Sequence, residues 1–393
     1  MRFPEFSGEW EETTLGKISE ITKGSGISKD QLSEQGSPCI LYGELYTKYK
    51  SEIIGEVYSR TELDSSSLVK SKANDVIIPC SGETAIDIST ARCVPFNNIL
   101  LGGDLNIIRL KNDDGGFFAY QLNGVRKTDI ARVAQGVSVV HLYGENLKQI
   151  IVYHPAIEEQ KKITRLLSLI DERIATQNKI IEKLESLIKG LNNSLYDRYG
   201  DGIRTSFAGF GYSYSGLSGK SAMDFGKGKP FITYLNVYSN NVVNENDYQY
   251  VQIDEGEKQN VVQYGDVLFT LSSETPEEVG IGSVYLGQDE VYLNSFCFGI
   301  HIVNEELAYS PYISYYVSST PFRKFIYPFA QGSTRFNLCK ADFEKASITL
   351  PSLDNQKRIH SVLNSVAMKI STERAMLELY VTQKQDLLRQ MFI

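Results

Sequence analysis

Two short segments of the chain place polar side chains beside an Ala-Gln-Gly triplet, which occurs at 134–136 and again at 330–332. Amide, hydroxyl, imidazole and guanidinium groups in a glycine-containing loop are suited to hydrogen bonds with phosphates and base edges. Alternatively, the glycines form a turn that the polar groups only cap, and the sequence favours neither interpretation. The candidate contact residues are Gln135, Ser138 and His141 in the first loop, and Gln331, Ser333, Thr334, Arg335 and Asn337 in the second.

Tyrosines and lysines supply two further groups of candidate contacts. Aromatic and polar side chains follow a predicted strand in each half, where they either face a nucleic-acid groove or are ordinary strand residues. Lysines in nearby loops are suited to phosphate contacts, or are solvated surface residues. The first group comprises Tyr42, Glu44, Tyr46, Tyr234, Asn236 and Tyr238, and the second comprises Lys23, Lys29, Lys220, Lys227 and Lys229.

Three other patterns resemble catalytic or nucleotide-binding motifs but lack the context that those motifs need. The segment 207–211 has the glycine spacing of an S-adenosylmethionine site, yet loop-like residues follow it, so we interpret it as an inter-module linker. The tripeptide 219–221 matches the end of a phosphate loop whose first glycine is replaced by Tyr214. The run 254–258 is interpreted as solvated charge, and the four histidines show no metal spacing. The sequence predicts no catalytic site, cofactor or metal.

The Ala-Gln-Gly segments belong to a repeat that extends through most of the chain. Residues 155–163 correspond to residues 351–359, and both segments contain Pro, then an acidic residue, then Gln, a basic pair and Ile. Upstream, segments such as 74–78 and 265–269 also correspond, but at a slightly shorter separation, which indicates insertions in surface loops. A repeat of this length indicates that a complete domain was duplicated.

The composition is that of a globular chain long enough for two ordinary domains. The 393 residues are 42% hydrophobic and 22% charged, and the formal net charge is −8. This charge argues against nucleic-acid binding, although a local basic patch is compatible with it. A cytoplasmic protein is expected, because the sequence shows no signal peptide, no apolar run of membrane-spanning length, and five scattered cysteines typical of reduced thiols.

Each half is predicted to combine strands with short helices and then to end in a long helix. Short helices are expected near 117–124 and 308–318, and Pro155 and Pro351 stand where the long helices begin. Apolar runs predict strands at 76–78, 99–110, 267–269 and 291–303.

Apolar residues recur at intervals of three and four in both long helices and predict a heptad seam. Gln177 and Glu373 interrupt the series, and Lys384 stands where the first helix has Ile188. We expect the helices to pair with each other; the alternative is that each packs on its own domain. Burying polar groups opposite each other favours a parallel pair. The seam residues are Ile163, Leu167, Ile170, Ile174, Ile181, Leu184, Ile188 and Leu191 in the first helix, and Ile359, Leu363, Val366, Ile370, Leu377, Tyr380 and Leu387 in the second.

With its repeat, tail motif and heptads, the chain resembles the specificity subunit of type I restriction–modification systems over essentially its whole length. The most specific stretch is 330–338 followed by 350–359, which is similar to the family's Gly-Ser-Thr loop and proline-led helix start. The first copy is looser at 137–142. Residues 8–18 are similar to the family's module start, whereas 201–220 lack its Trp and Leu-Gly pair.

The resemblance implies an α+β fold with two similar mixed α/β target-recognition domains, at 1–153 and 201–349. Helical spacers at 154–200 and 350–393 would follow them and pair as an antiparallel coiled coil. The implied function is non-catalytic recognition of double-stranded DNA, with each domain reading one half of a bipartite, asymmetric site. The implied partners are two methyltransferase subunits, which dock on the scaffold, and restriction subunits that act as motor and nuclease.

Two rival hypotheses belong to other classes of protein. One is a DNA methyltransferase or nuclease with a cryptic site, which would transfer methyl groups or cut DNA without partners. The other is a coiled-coil interaction scaffold that never touches DNA, with which the net negative charge is compatible.

Overall fold

The computed structural model describes residues 2–199 and 202–392, which form two compact units. Unit 1 comprises Met1–Lys179 and Arg374–Ile393, and unit 2 comprises Ile180–Glu373. Each unit therefore combines one β-rich module with part of each long helix. The expected domain boundary between residues 200 and 201 lies outside the described residues.

The module of unit 1 alternates short strands with short helices. Its strands are β1 (Glu11–Thr14), β2 (Ser19–Lys23), β3 (Ser37–Ile40), β4 (Ser59–Thr61), β5 (Asp75–Pro79), β6 (Ser81–Gly82), β7 (Arg92–Val94), β8 (Leu100–Leu101), β9 (Leu105–Leu110), β10 (Val140–His141) and β11 (Ile151–His154). Its helices are α1 (Leu15–Ile18), α2 (Glu44–Thr47), α3 (Ala85–Ile88), α4 (Gly115–Asn123), α5 (Lys127–Val133) and α6 (Gly144–Lys148), with a 3-10 turn at Lys29–Gln31.

The first long helix, α7 (Ile157–Tyr199), leads to a second module of similar build, which is followed by the second long helix, α13 (Leu353–Met391). The strands of this module are β12 (Ile203–Thr205), β13 (Gly211–Ser215), β14 (Phe225–Ile232), β15 (Tyr248–Val251), β16 (Val267–Thr270), β17 (Ser272–Ser273), β18 (Gly282–Val284), β19 (Tyr292–Leu293), β20 (Cys297–Ile302), β21 (Ala330–Gln331), β22 (Phe336–Leu338) and β23 (Ile348–Leu350). Its helices are α8 (Phe207–Phe210), α9 (Tyr234–Ser239), α10 (Ser310–Tyr316), α11 (Thr320–Ile326) and α12 (Lys340–Lys345), with 3-10 turns at Ala222–Asp224, Pro276–Glu278 and Tyr327–Phe329.

The two modules have the same strand order. The main antiparallel sheet is β2-β9-β5-β7 in unit 1 and β13-β20-β16-β18 in unit 2. A second sheet, β4-β3-β8 or β15-β14-β19, contains one parallel pair in each module. The central strands β5 and β16 are buried along their whole length, which explains their unbroken apolar sequence. The predicted strands and short helices, the duplication and the α+β fold class are confirmed.

The start of the second module corrects one interpretation of the sequence. Residues 207–211 are not a linker: they form helix α8 and the first residue of β13, and both Phe207 and Phe210 are fully buried in the core of unit 2. The order β12-α8-β13 repeats β1-α1-β2, and Phe207 takes the place of the buried Leu15. The sequence comparison did not reveal the duplication here, because the two copies bury different types of side chain at equivalent positions.

The repeated Gln at the start of each long helix fastens that helix to its module. Gln160 is buried; its Nε2 donates to Asp113 Oδ1 and the Pro155 carbonyl at 2.8 and 2.9 Å, and its Oε1 accepts from the Asp114 N–H. Gln356 is buried in the same way in unit 2. Such groups must be paired when buried, so the most specific tail motif has a structural role at the helix start.

In unit 2, the amide of Gln356 donates to the Leu307 and Pro351 carbonyls at 2.8 and 2.9 Å and accepts from the Tyr309 N–H. Gln160 and Gln356 thus make equivalent hydrogen bonds to a proline carbonyl and to a backbone N–H. Their third partner differs, since it is the Asp113 carboxylate in unit 1 and the Leu307 carbonyl in unit 2. Both long helices therefore begin at a fixed point on their own module.

Within unit 1, the parts of the two long helices run antiparallel. Asp171 of α7 meets Lys384 of α13, and two residues further along α7 the Arg173 guanidinium lies over the ring of Tyr380, which is four residues earlier in α13. The antiparallel orientation that the resemblance implied is confirmed here. The indication of a parallel pair from the seam was wrong, because it considered only Gln177 and Glu373. Gln177 of unit 1 and Glu373 of unit 2 are both buried, and Glu373 is paired with Lys369 of its own helix.

The heptad positions are buried or half-buried throughout both helices. Ile163 and Leu167 belong to the hydrophobic core of unit 1, together with the α13 residue Met391. Ile359 and Leu363 belong to the core of unit 2, against which the α7 residues Ile188, Leu191 and Leu195 pack. The two expected alternatives therefore coexist, because each helix packs on its own module and also joins the other helix.

Candidate nucleic-acid interface

In unit 1 the Ala-Gln-Gly segment forms a tight hairpin over residues 134–141, which we call the Gln-Gly hairpin. Gln135 and His141 exchange both of their backbone hydrogen bonds, at 2.8 and 2.7 Å. Gly136 has a φ of +121°, and a Cβ there would lie 2.2 Å from the Val139 carbonyl oxygen. Only glycine fits this turn. The strand β10 then pairs with β6, which fixes the hairpin on the module.

The equivalent hairpin of unit 2, residues 330–337, has the same construction. Gln331 pairs with Asn337, and Asn337 also pairs with Ser272 of β17. Gly332 has a φ of +138°, and a Cβ there would lie 2.1 Å from the Arg335 carbonyl oxygen. The duplication has therefore preserved the backbone of the hairpin together with its glycine.

The polar residues predicted for these loops are all exposed. The glycines form the turn, as the alternative interpretation proposed, yet the polar side chains remain directed to solvent and open to a ligand. The exposed residues are Gln135, Ser138 and His141 in unit 1, and Gln331, Ser333, Thr334, Arg335 and Asn337 in unit 2. Of all the candidate contacts, this group best fits an interface.

The tips of the two hairpins differ in chemistry. In unit 1 the tip presents Val137, which is 96% exposed, and the exposed Val139. In unit 2 the corresponding positions hold Ser333 and Arg335, and the Arg335 guanidinium lies 6.0 Å from the ring centroid of the exposed Phe296. An apolar tip is suited to a thymine methyl group and an arginine tip to guanine, so the conserved backbone presents two different surfaces.

Two exposed aromatic residues beside the hairpins were missed from the sequence. Tyr143 stacks on His141 with ring centroids 6.2 Å apart. Because Tyr143 is only two residues after the candidate His141, the sequence could have indicated it. Phe296 is brought to the hairpin by tertiary contacts: its carbonyl accepts from the Leu271 N–H, and the next residue, Ser272, pairs with Asn337. Nothing local in the sequence therefore indicated it.

In unit 1, Lys29, Tyr42 and Glu44 line one cavity of about 1010 Å³. Lys29 is exposed and Tyr42 is half-buried. Glu44, in contrast, is buried: its Oε1 accepts from Lys48 Nζ at 2.6 Å and from the Ser59 hydroxyl, and its Oε2 accepts from the Leu41 N–H. Glu44 therefore stabilises α2, which differs from the expectation of a groove contact.

Tyr46 is half-buried on α2, and burial raises the pKa of its phenol. The predicted strand ends before these residues, because β3 ends at Ile40 and the chain turns into α2 at Glu44. Tyr42 and Tyr46 consequently lie on a turn of helix and its approach, where alternation of strand faces does not apply.

In unit 2, Asn236 is fully buried, and its Nδ2 donates to the Asn244 and Asp247 carbonyls at 2.9 and 3.0 Å. It closes the loop that follows α9, so the expectation of a DNA contact is corrected. Tyr234 and Tyr238 are half-buried and stacked, with hydroxyls that donate to the Ser272 carbonyl and a Glu278 carboxylate oxygen. They too hold loops in place.

The predicted lysines divide into exposed and ion-paired groups. Lys23, Lys29 and Lys227 are exposed. Lys220 is largely buried and lies 2.5 Å from Glu257, and this hydrogen bond lowers the pKa of Glu257 to about 2. Lys229 lies 3.4 Å from Glu290 in an exposed pair that phosphate could readily replace. Lys220 is thus the least suited of the five to contact phosphate.

Among residues 2–199 and 202–392, no group of three or more His, Cys, Asp and Glu side chains is arranged to hold a metal ion. Over the same residues, no helix combines the length and apolar character needed to cross a membrane. Burial raises the pKa of the Cys39 and Cys80 thiols to about 11, which leaves them weak nucleophiles.

Replacing Arg335 with Ala is expected to weaken sequence-specific DNA binding by about 10- to 150-fold, the effect of losing one bidentate base contact. Fluorescence anisotropy with a duplex that carries the target site would measure the change. The control is Lys189→Ala, which removes the same charge from an exposed position of α7. Equal losses in both variants would indicate a general charge effect and contradict a base contact by Arg335.

The chain matches a family model described as type I restriction modification DNA specificity domain, over residues 7–186 and again over 220–379. The two matched ranges correspond to the two copies of the repeat.

Among curated proteins, the chain is similar to the type I restriction enzyme MjaVIII specificity subunit of Methanocaldococcus jannaschii, with 24% identity over 202 residues. That alignment covers 50% of this chain and 44% of the relative, so the chain spans less than half of the relative's length.

Among solved structures, the fold is similar to the S subunit of a type I restriction–modification system from M. genitalium, with a TM-score of 0.61 and 15% identity over 100% of this chain and 99% of the other. It is also similar to a chain from a study of complex assembly and conformational transition of the type I R-M system, with a TM-score of 0.60 and 14% identity over 98% of both chains. At these identities the similarity concerns the fold.

Proposed function

The chain belongs to the type I restriction–modification DNA specificity family, and from this premise we propose that it is the DNA-recognition subunit of a type I restriction–modification complex. It is a non-catalytic subunit that selects the sequence on which its partners act. The observation that carries the proposal is the pair of Gln-Gly hairpins, which share a backbone and a glycine turn but present different tips.

The modules at 1–153 and 201–349 are the target-recognition domains, and each reads one half of a bipartite, asymmetric site. Exposed hydroxyl, amide and imidazole groups of the hairpins supply hydrogen bonds to phosphates and base edges. Because the two hairpins share a backbone but present different side chains at their tips, we expect them to read different half-sites. The long helices at 154–200 and 350–393 are spacers that set the half-site spacing, as the separation of paired readers does in other DNA-binding proteins.

Double-stranded DNA, two methyltransferase subunits and the restriction subunits are the proposed partners, and the complex works in the cytoplasm. The exposed apolar residues of the long helices, such as Leu169, Leu187, Val362 and Leu379, support docking of other subunits. The net charge of −8 makes unaided DNA binding weak. Affinity in the assembled complex would then come partly from the partners.

Titration of duplex DNA with the chain and its methyltransferase subunit, at several salt concentrations, tests the proposal. We expect binding that depends on the duplex sequence and weakens as salt rises, because contacts with phosphates release counterions. Absence of binding across varied sequences would contradict the proposal and favour the coiled-coil scaffold.

The enzyme alternative is tested with the purified chain alone, labelled S-adenosylmethionine and the same duplex. We expect no methyl transfer until the methyltransferase subunit is added. Transfer or cleavage by the chain alone would contradict a purely recognition role and would indicate a cryptic catalytic site.

A further inference from the structure

Lys384 is a charged residue in an otherwise apolar stretch of the α13 seam, at the position where α7 has Ile188. Its side chain is only 14% exposed. Lysine is rarely buried unless its charge is paired, so this position needs an explanation that the heptad pattern does not provide.

Two buried carboxylates meet the Lys384 ammonium. Its Nζ lies 2.5 Å from Glu52 Oε2 and 2.6 Å from Asp171 Oδ1. Burial alone would lower the pKa of Lys384, but the charges of the two carboxylates outweigh it and raise that pKa. The ammonium therefore holds together three elements of unit 1: the loop after α2, helix α7 and the end of α13.

The carboxylates are held in place by their own module. Asp171 Oδ2 accepts hydrogen bonds from the Tyr120 hydroxyl at 2.7 Å and the Ser51 hydroxyl at 3.0 Å. We call Ser51, Glu52, Tyr120 and Asp171 the acidic socket. Tyr120 is on α4 and Asp171 is on α7, and the Glu52 carbonyl accepts from the Cys93 N–H of β7 at 2.8 Å, so three elements of unit 1 position the socket.

Arg92 and Lys127 are further cations near the socket, but the hydrogen bonds of Arg92 go elsewhere. It donates to the carbonyl oxygens of Leu45, Ala91 and Tyr49 at 3.1, 3.2 and 2.8 Å. Arg92 offsets part of the negative charge at a distance, and Lys384 is the cation in direct contact with both carboxylates.

In unit 2 the counterparts of the two carboxylates and of Lys384 are uncharged. The repeat puts Ile188 where unit 1 has Lys384 and Ala367 where it has Asp171. Asn241 takes the place of Glu52, because its carbonyl accepts from the Val284 N–H as the Glu52 carbonyl accepts from the Cys93 N–H. Tyr315 takes the place of Tyr120, and Ile188 packs against the core cluster that contains it. The two copies of one fold therefore accept helix ends of different chemistry, one cationic and one apolar.

We propose that the acidic socket of unit 1 selects the end of α13 over the homologous end of α7, so that the chain closes on itself and does not exchange segments with a second copy. The end of α7 from another chain would bring Ile188 to the socket and leave two buried carboxylates without a contacting cation. Breaking a buried ion pair in this way is strongly unfavourable. Such mismatched groups are a general means of excluding wrong partners.

The test uses the full-length chain and two observables, hydrogen exchange over residues 374–392 and molar mass from light scattering at rising concentration. Lys384→Ile should speed exchange in this segment by about tenfold or more and produce concentration-dependent oligomers. Adding Glu52→Gln and Asp171→Asn to that variant should restore slow exchange and the monomer, because a neutral socket accepts an apolar side chain.

Hydrogen exchange in β5 and β9 would reveal whether Lys384→Ile folds. If it does not fold, two further variants keep the test decisive. Lys384→Arg should behave like the unaltered chain, whereas Glu52→Gln with Asp171→Asn should loosen the segment because Lys384 loses its counter-charges. A monomer with unaltered exchange in the latter double variant, or in Lys384→Ile, would overturn the proposal. Failure of the neutral socket to rescue Lys384→Ile would also overturn it.

Discussion

Replacing Phe343 with Ala is expected to lower the free energy of unfolding of unit 2 by about 3–5 kcal/mol, the usual effect of removing a buried Phe from a close-packed core. Phe343 is fully buried on α12, and its ring centroid lies 4.9 Å from that of Phe207 and 5.2 Å from that of Phe269. Rings of Phe298, Phe322, Phe325 and Phe329 also surround it. The cavity left by Ala could not collapse without moving several elements.

Hydrogen exchange of β16 and β20 would measure this change, because two units need not unfold together and a single melting temperature would mix them. The matched control is Phe296→Ala, since Phe296 is an exposed Phe of the same unit and its loss should cost less than about 1 kcal/mol. Similar effects of both substitutions would mean that Phe343 is not at the centre of the core.

Replacing Arg109 with Leu is expected to lower the stability of unit 1 by about 3 kcal/mol, at the low end for a broken buried pair because Arg109 is partly exposed. The Arg109 guanidinium donates to both oxygens of the buried Asp75, at 2.8 and 2.7 Å. This hydrogen bonding raises the pKa of Arg109. With Leu in its place, Asp75 would be a buried carboxylate without its counter-charge.

Unit 2 provides a matched control at the corresponding position, His301→Leu. The His301 Nδ1 lies 2.7 Å from Asp266, which also accepts from the Tyr214 hydroxyl and the Gln263 N–H. Burial raises the pKa of Asp266. Because Asp266 would keep its hydrogen bonds from Tyr214 and Gln263, loss of His301 should cost only about 1–2 kcal/mol. A larger effect for His301 than for Arg109, measured by hydrogen exchange of β20 and of β9 respectively, would contradict this account.

Sequence periodicity predicted the fold well where the pattern of apolar residues depends on the burial of a single strand or helix. The unbroken apolar runs of β5 and β16 and the heptads of α7 and α13 follow directly from burial of a whole strand or of one helix face. The start of the second module was misread because Phe207 and Phe210 replace the recognisable residues of the first copy while filling the same core.

The candidate interface was predicted less evenly. The Gln-Gly hairpins could be found from sequence, because a glycine with positive φ and its polar neighbours are local features. The roles of Glu44, Asn236 and Lys220 could not, because their partners Ser59, Asp247 and Glu257 are separated from them in sequence. A polar side chain has the same sequence signature whether it faces solvent or closes a loop.

The most direct test of the central claim is to sequence the methylated sites in a host that carries this chain with its methyltransferase subunit, before and after residues 1–153 are exchanged for those of another family member. We predict a bipartite motif with a fixed gap, of which the exchange alters one half and leaves the other half and the gap unchanged. A continuous motif, or a change in both halves, would contradict independent reading by two modules.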